Sequence, residues 1–203
     1  MFSDTYYTIK TPSEGIYKDK GSKFIAYAHP VKNEVEIKEI LEELKKKHYD
    51  ARHHCYAWVL GPARDAFRLN DDGEPSGTAG KPIHGQILSN DITNVLIVVV
   101  RYFGGTKLGI RGLINAYKAA AADAIKNNVI VEMLIREVYE LQFEYPLMND
   151  VMKVLKDHDL NQISHDFALS CKVTIEVRRN KADEIKKIFE TLYGITIKYV
   201  DAL

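Results

Sequence analysis

Six consecutive apolar residues, at positions 95–100, constrain the fold more than any other feature of the chain. All but one of them are β-branched, and the exception is Leu96. Such a run is typical of a β-strand that is buried on both faces, because a half-exposed strand would alternate apolar with polar residues. The run is also far too short to cross a bilayer, which takes about 20 apolar residues in a helix. We therefore expect a strand with both of its faces covered.

The bulk properties are those of an ordinary globular protein. The chain has 203 residues, which fits one large domain or two small ones. Basic and acidic residues number 28 each, so no overall field attracts nucleic acid or a membrane, and a basic site must be a local patch. The two cysteines, Cys55 and Cys171, cannot form the framework of a small secreted domain, and no signal-peptide pattern opens the sequence. We expect a cytoplasmic monomer that contacts no membrane.

The first 133 residues predict strands and helices in mixed order. A helix should begin after Asn33, with Glu36 at the capping-box position, and another should begin after Gly109. Residues 70–82 hold too many turn-forming residues for regular structure, and we expect a short helix only over residues 83–88. Further short strands are expected over residues 6–10, 15–19, 21–28 and 52–60, and one around Phe67.

The pattern changes after residue 127, and we place a domain boundary near residue 134, giving domains 1–133 and 134–203. Apolar residues alternate with polar ones around Leu141 and Phe143, as in a half-exposed strand. A helix that starts at Pro146 follows, and then come strands over 162–168 and 172–177, a helix over 181–192 and a last strand. This order is βαββαβ, the ferredoxin-like arrangement.

Eight of the twelve glycines lie between Gly73 and Gly112, so this stretch has unusual backbone demands. Residues 104–109 follow the apolar strand and open a helix, a context in which main-chain N–H groups favour an anion. Arg101, Lys107 and Arg111 add positive charge, whose natural partner is phosphate. The spacing matches neither a Walker loop nor G-x-G-x-x-G, so a tight strand-to-helix turn with packing glycines is an equal alternative.

Two further segments carry polar side chains. Asp71, Asp72 and Glu74, followed by Ser76 and Thr78, could bind Mg²⁺ or pair a nucleophile with a base, although ordinary turn chemistry is the favoured interpretation and we expect no metal. On a strand, the adjacent His53 and His54 face opposite ways and cannot converge on one metal without another ligand such as His84. We expect one buried histidine and one surface histidine.

Taken together, these segments resemble the signature of the IMPACT family, in its bacterial YigZ-like branch. The resemblance rests on residues 51–58 (ARHHCYAW), 70–80 (NDDGEPSGTAG) and 99–113 (VVRYFGGTKLGIRGL), and it extends over the whole chain. It implies a first domain folded like the fourth domain of elongation factor G and a ferredoxin-like second domain similar to its fifth. Eukaryotic relatives regulate translation. The resemblance brings no catalytic residues and no cofactor.

The leading functional hypothesis is a protein that regulates translation by binding RNA, the ribosome or a translation-associated protein through a glycine-rich basic cleft, and it leans away from an enzyme. The candidate phosphate- and RNA-binding residues are Arg52, Arg101, Tyr102, Gly104, Gly105, Thr106, Lys107 and Arg111. One alternative is an enzyme acting on a small phosphorylated or acyl substrate, with His53 or His54 as base beside Asp72, Glu74 and Ser76. Another is a protein-binding adaptor, which should expose an apolar patch on the sheet of the second domain.

Overall fold

The structure is a computed structural model that describes residues 4–167 and 170–202. It is a mixed α+β protein that divides into two compact units. One unit consists of residues 6–133, and the other consists of the residues from 134 onward together with Asp4 and Thr5.

The first unit and the segments that flank it hold ten elements. They are β1 (Thr5–Ile9), β2 (Ser13–Asp19), β3 (Ser22–Pro30), α1 (Glu34–Lys47), β4 (His53–Leu60), β5 (Ala66–Asn70), α2 (Gly80–Ser89), β6 (Val95–Tyr102), α3 (Gly109–Lys126) and β7 (Ile130–Leu134). Strands β1 and β7 pair with each other, and the other five form one sheet in the order β2-β3-β6-β4-β5. Every neighbouring pair in that sheet is antiparallel.

Strand β6 lies at the centre of the sheet, and residues 95–100 are all buried, which confirms the prediction from the apolar run. One face of the sheet packs against α2 and α3 through residues such as Val99 and Tyr117. The other face packs against α1, where Ile37 and Leu44 cover Val98 and Val100. The two faces of β6 therefore belong to two separate clusters of buried side chains.

Two local predictions in this unit have different outcomes. Helix α1 begins where expected, because the Asn33 side chain accepts a hydrogen bond from the Glu36 N–H (2.9 Å). Helix α2 begins at Gly80, three residues earlier than predicted. Pro82 is tolerated there because the N–H that it lacks would have no partner in the first helical turn. Because residues 70–82 contain many turn-forming residues, the sequence did not indicate that α2 begins among them.

The second unit follows the predicted order of elements. It comprises β8 (Arg136–Phe143), a short 3-10 turn (Tyr145–Leu147), α4 (Met148–Asp157), β9 (Asn161–Phe167), β10 (Cys171–Arg178), α5 (Arg179–Thr191) and β11 (Thr196–Ala202). Its sheet has the strand order β11-β8-β10-β9, with both helices packed on one face. The strand predicted over residues 162–168 corresponds to β9, and its last residue, Ala168, lies outside the described residues.

Candidate functional site

The three segments that carry the sequence signature lie together at one end of the five-stranded sheet. His53, at the start of β4, pairs with Arg101, near the end of β6. The His54 N–H donates to the Asp72 carboxylate (2.7 Å), and Arg101 Nη1 donates to Glu74 Oε1 (2.6 Å). Residues far apart in the chain are therefore neighbours here, because antiparallel pairing places the start of one strand beside the end of the next.

Arg101 is not the exposed cation that the sequence predicts. Its side chain is only 7% exposed, and it forms an ion pair with Glu74, which is 4% exposed. The Tyr117 hydroxyl donates a second hydrogen bond to the same Glu74 oxygen (2.8 Å). The guanidinium also lies 5.5 Å from the ring centroids of both Phe24 and Phe103. The Glu74 carboxylate thus balances the charge of Arg101, for which phosphate was the predicted partner.

The carboxylate of Asp71 holds its own segment together. One oxygen accepts hydrogen bonds from the N–H groups of Ala79 and Gly80, and the other accepts from Gly77, at 2.8 to 3.0 Å. Asp71 therefore satisfies donors at the start of α2, a position that has no cap from a neighbouring side chain. Thr78 is buried, and its hydroxyl donates to the carbonyl oxygen of Pro75 (2.6 Å). These contacts support the turn interpretation of the acidic segment.

His53 and His54 project from opposite faces of β4, as expected. His54 is buried, and its Nε2 donates to the carbonyl oxygen of His48 (3.1 Å). His53 is half-buried, and its Nδ1 donates to the carbonyl oxygen of Asp72 (2.8 Å). Ser76 is exposed and has no hydrogen bond to either histidine in the described part of the chain. Within the described residues, Asp72 therefore lies beside both histidines, while Ser76 has no histidine hydrogen-bonded to it.

Tyr102 also differs from the prediction, because it points to the face of the sheet that carries α1. Its hydroxyl donates to Asp50 (3.1 Å) and lies 2.7 Å from His48 Nδ1, while the Tyr27 hydroxyl lies 2.7 Å from Nε2 of the same ring. Burial lowers the pKa of His48 and so favours the neutral ring, in which Nδ1 donates to the Tyr102 hydroxyl and Nε2 accepts from the Tyr27 hydroxyl. The Tyr102 hydroxyl is thus held in place, while the residue lines the cleft described below.

A buried polar cluster beneath the site was not predicted from the sequence. The Cys55 thiol lies 3.0 Å from the Asp71 carbonyl oxygen and 3.3 Å from the Tyr117 hydroxyl. Burial raises the pKa of both groups, so both stay protonated. The available signal was Tyr117, the one hydroxyl on the apolar stripe of α3, because a buried tyrosine usually has a hydrogen-bond partner.

The loop between β6 and α3 faces outward. A Cβ on Gly104 would overlap the backbone of Gly21, so this glycine allows the turn between β2 and β3 to approach closely. Gly105 has a φ of +87° and open space around it. Phe103, Thr106, Lys107 and Arg111 are exposed, and no side chain caps the start of α3. The packing interpretation thus applies to Gly104, and anion binding stays a prediction for the exposed residues of the loop.

A shallow cleft of about 450 Å³ lies at this end of the sheet. Among its lining residues are Asp50, Arg52, His53, Arg101, Tyr102 and Phe103. Arg52 is exposed, and neither it nor Lys107 nor Arg111 forms an ion pair with any residue that the structure describes. These three side chains therefore contribute free positive charge at this end of the sheet.

Two other features bear on the hypotheses from the sequence. Within residues 4–167 and 170–202, no three His, Cys, Asp or Glu side chains are arranged to hold a metal ion, and His84 stacks on Phe67. None of the described helices is long and apolar enough to span a membrane.

Among the residues described, the sheet of the second unit exposes apolar side chains on its edge strands, Ile163 and Phe167 on β9 and Tyr199 and Val200 on β11. Its face opposite the helices carries the polar residues Glu140, Gln142, Lys172, Thr174 and Lys198 on paired strands. The adaptor hypothesis requires an exposed apolar patch on this sheet.

Comparison with known proteins identifies relatives over most of the chain. The sequence profile of the Impact N-terminal domain matches residues 20–125. "IMPACT family member YvyE" of Bacillus subtilis is 31% identical over 180 residues, which cover 88% of this chain and 83% of that protein. "IMPACT family member YigZ" of Escherichia coli is 36% identical over 150 residues, covering 73% and 74% of the two chains. A crystal structure of a hypothetical protein superposes with a TM-score of 0.79 at 28% identity, covering 98% of this chain and 99% of that one.

Proposed function

The chain belongs to the IMPACT family, and on that premise we propose that it regulates translation by binding RNA, whether free or on the ribosome. The link to translation comes from the role that the family resemblance implies for eukaryotic relatives. The RNA-binding surface would consist of Arg52, Lys107 and Arg111 with the turn of residues 104–109. A translation factor bound at the same surface is the alternative partner.

The observation that carries the proposal is the group of three exposed cations without ion-pair partners. Lys107 and Arg111 lie on either side of the uncapped start of α3 in the sequence, where main-chain N–H groups and the helix dipole favour negative charge, and Arg52 lines the cleft together with Phe103. At α2 the Asp71 carboxylate occupies the corresponding position. The start of α2 therefore offers no site for an anion. Phosphates of an RNA backbone match the chemistry of the α3 end, since each arginine or lysine can replace a counterion there.

Binding of a single-stranded RNA at rising salt concentration tests the proposal. Affinity should fall as salt rises, and Lys107→Glu should lower affinity by about tenfold and reduce the salt slope by about 0.7, because one phosphate contact is lost. Lys153→Glu makes the same charge change on an exposed position of α4 and should bind as wild type does. Equal binding by wild type and Lys107→Glu at low salt would overturn the proposal.

The architecture also supports a connection with translation. Within the proposal, the first unit is similar to the fourth domain of elongation factor G, and the second is ferredoxin-like, similar to the fifth. The element order βαββαβ and the strand order β11-β8-β10-β9 support the second assignment. Superposition of an experimental structure on those two domains tests both, and a poor match of either unit would remove this support.

The proposed location is the cytoplasm, with the protein acting as a monomer. The two cysteines are buried and free, which suits a reducing compartment. Light scattering of the purified protein tests the oligomeric state, and a stable dimer would contradict it.

A further inference from the structure

The two edges of the five-stranded sheet differ in how their backbone groups are satisfied. At the β2 edge, side chains of α3 bond to the strand. The Ile16 N–H donates to the Asp123 carboxylate (2.9 Å), and the Asn127 side-chain amide donates to the Glu14 carbonyl oxygen (2.9 Å). At the β5 edge, the backbone of residues 66–69 has no hydrogen-bond partner outside β4 among the residues that the structure describes. Alternate N–H and C=O groups of β5 are therefore open to a further strand.

The open stretch of β5 carries exposed apolar side chains on one side of the sheet. The Phe67 ring stacks on His84 of α2, with ring centroids 5.1 Å apart. Leu69 lies two positions further on and so shares this side, because strand side chains alternate. Phe67 is 53% exposed and Leu69 is 39% exposed, so an added strand could bury both. The start of α2 packs against the backbone of Asn70, which ends the open stretch.

A groove of about 520 Å³ borders the same edge on the other side of the sheet. Its lining includes Val35 and Leu41 of α1, Tyr56 and Trp58 of β4, and Arg68 of β5. The side chains of a segment added to β5 would point alternately into this groove and toward the α2 side. Strand addition of this kind gains affinity from main-chain hydrogen bonds and specificity from the alternate side chains.

The charge at the edge favours an acidic segment. Arg68 is exposed, occupies the middle of β5 and forms no ion pair with any residue in the described ranges. Lys38 and Glu34 also line the groove and offset each other, so Arg68 leaves it positive. If two copies paired antiparallel over the whole of β5, Arg68 would face its own counterpart, and like charges directly opposite destabilise a sheet. An acidic partner is therefore favoured over a second copy of this chain.

We propose that the β5 edge is a docking site for an extended acidic segment of another protein, which adds to the five-stranded sheet as a further strand. A carboxylate of this segment lies opposite Arg68, and the apolar side chains next to it in the segment pack on Phe67 and Leu69. An RNA strand has no alternating N–H and C=O groups to pair with the edge. The inference goes beyond the proposed function and does not depend on RNA binding.

Three synthetic peptides of about nine residues test the inference. The glutamate peptide has a central glutamate between two valines and threonine elsewhere, because valine and threonine favour extended strands. The lysine peptide has lysine in place of the glutamate. The methylated peptide is the glutamate peptide with N-methyl groups on the glutamate and on one valine, so that it loses donors on both of its edges.

Titration of each peptide into the full chain, followed by amide NMR, measures affinity and location together. The glutamate peptide should shift the amide signals of residues 66–69 and slow their hydrogen exchange. The lysine peptide should bind about fivefold more weakly, because its charge repels Arg68. The methylated peptide should not bind, since its backbone cannot pair with the edge.

Charge reversal on the protein gives the matched test. Arg68→Glu should reverse the preference, so that the lysine peptide binds about fivefold more tightly than the glutamate peptide. Lys153→Glu makes the same charge change at an exposed position of α4 and should keep the wild-type preference. Phe67→Ala should weaken both peptides by about fivefold through the loss of a cross-strand contact.

The outcomes separate this inference from the proposed function. Equal binding of the glutamate and lysine peptides by wild type, or no shift at residues 66–69 with about 1 mM glutamate peptide, would overturn it. A stable dimer that Phe67→Ala dissociates would also overturn it, since a second copy would then occupy the edge. So would RNA that shifts residues 66–69 when the peptides do not. Lys107→Glu should lose RNA affinity and bind the glutamate peptide as wild type does. The wild-type comparison needs no variant and decides the question if a variant does not fold.

Discussion

The two glycine-rich segments of the first unit look alike in the sequence and behave differently in the structure. In residues 70–80, the polar side chains turn inward: Asp71 holds three backbone N–H groups, and Glu74 is buried against Arg101. In residues 103–109, Phe103 and Lys107 turn outward and are exposed, and no side chain caps the helix that follows.

The difference shows that a polar loop is available for binding only when its polar groups have no partners inside the protein. The inner segment, residues 70–80, uses its acidic groups to fix its own backbone and to balance a buried cation. The outer segment, residues 103–109, leaves charges and N–H groups unpaired at the surface. Mutations of the acidic side chains in the inner segment should therefore act on stability, and mutations of the exposed side chains in the outer segment should act on binding.

The largest expected effect belongs to Glu74, because its loss leaves the buried Arg101 charge unpaired. We expect Glu74→Ala to lower the free energy of unfolding by about 3–5 kcal/mol, measured by urea denaturation. The double variant Glu74→Ala/Arg101→Met removes both charges and should be more stable than Glu74→Ala alone. If the two substitutions are simply additive, the pair does not act as a unit.

Asp71 comes next, since three backbone donors depend on it. Asp71→Ala should cost about 2–3 kcal/mol of unfolding free energy and speed hydrogen exchange at Gly77, Ala79 and Gly80. Asp71→Asn keeps one acceptor oxygen and should lose less. Unchanged exchange at these three amides in Asp71→Ala would show that the carboxylate does not hold the segment.

Two adjacent glycines of the outer segment allow a matched test. Gly104→Ala places a methyl group against the backbone of Gly21 and should cost about 1–3 kcal/mol of unfolding free energy. Gly105→Ala meets no neighbour and carries only the penalty of a positive φ, about 1 kcal/mol. Thermal or urea unfolding of both variants measures the difference, and equal losses would mean that close packing at Gly104 contributes nothing.

Much of the fold could be predicted from the sequence, because it follows from local patterns of apolar and polar residues. The apolar run of residues 95–100 indicated a doubly covered strand, and alternation around Leu141 indicated a half-exposed one. The start of α2 at Gly80 was missed because its cap, Asp71, lies nine positions earlier. A contact of that range leaves no mark in the pattern of neighbouring residues.

The candidate site was harder to predict, since its chemistry depends on which face each side chain occupies. The apolar run of β6 does not show which of its residues point to which face of the sheet. The opposite directions of the adjacent Arg101 and Tyr102 were therefore not used to predict their partners. The partner of Arg101, Glu74, lies on a different segment, and nothing local distinguishes it from Asp72. Composition could locate the site but could not separate paired charges from free ones.

The smallest effect on stability is expected at the exposed cations, and it completes the comparison. Lys107→Ala and Arg111→Ala should change the unfolding free energy by no more than about 0.5 kcal/mol, because surface side chains without partners contribute little. Both should weaken RNA binding and make it less sensitive to salt, measured by anisotropy titrations at several salt concentrations. Asp71→Asn provides the converse, a loss of stability with RNA affinity retained while the protein is folded. If Lys107→Ala instead destabilises the fold as much as Asp71→Asn does, the outer segment is structural too, and the division between the two loops is wrong.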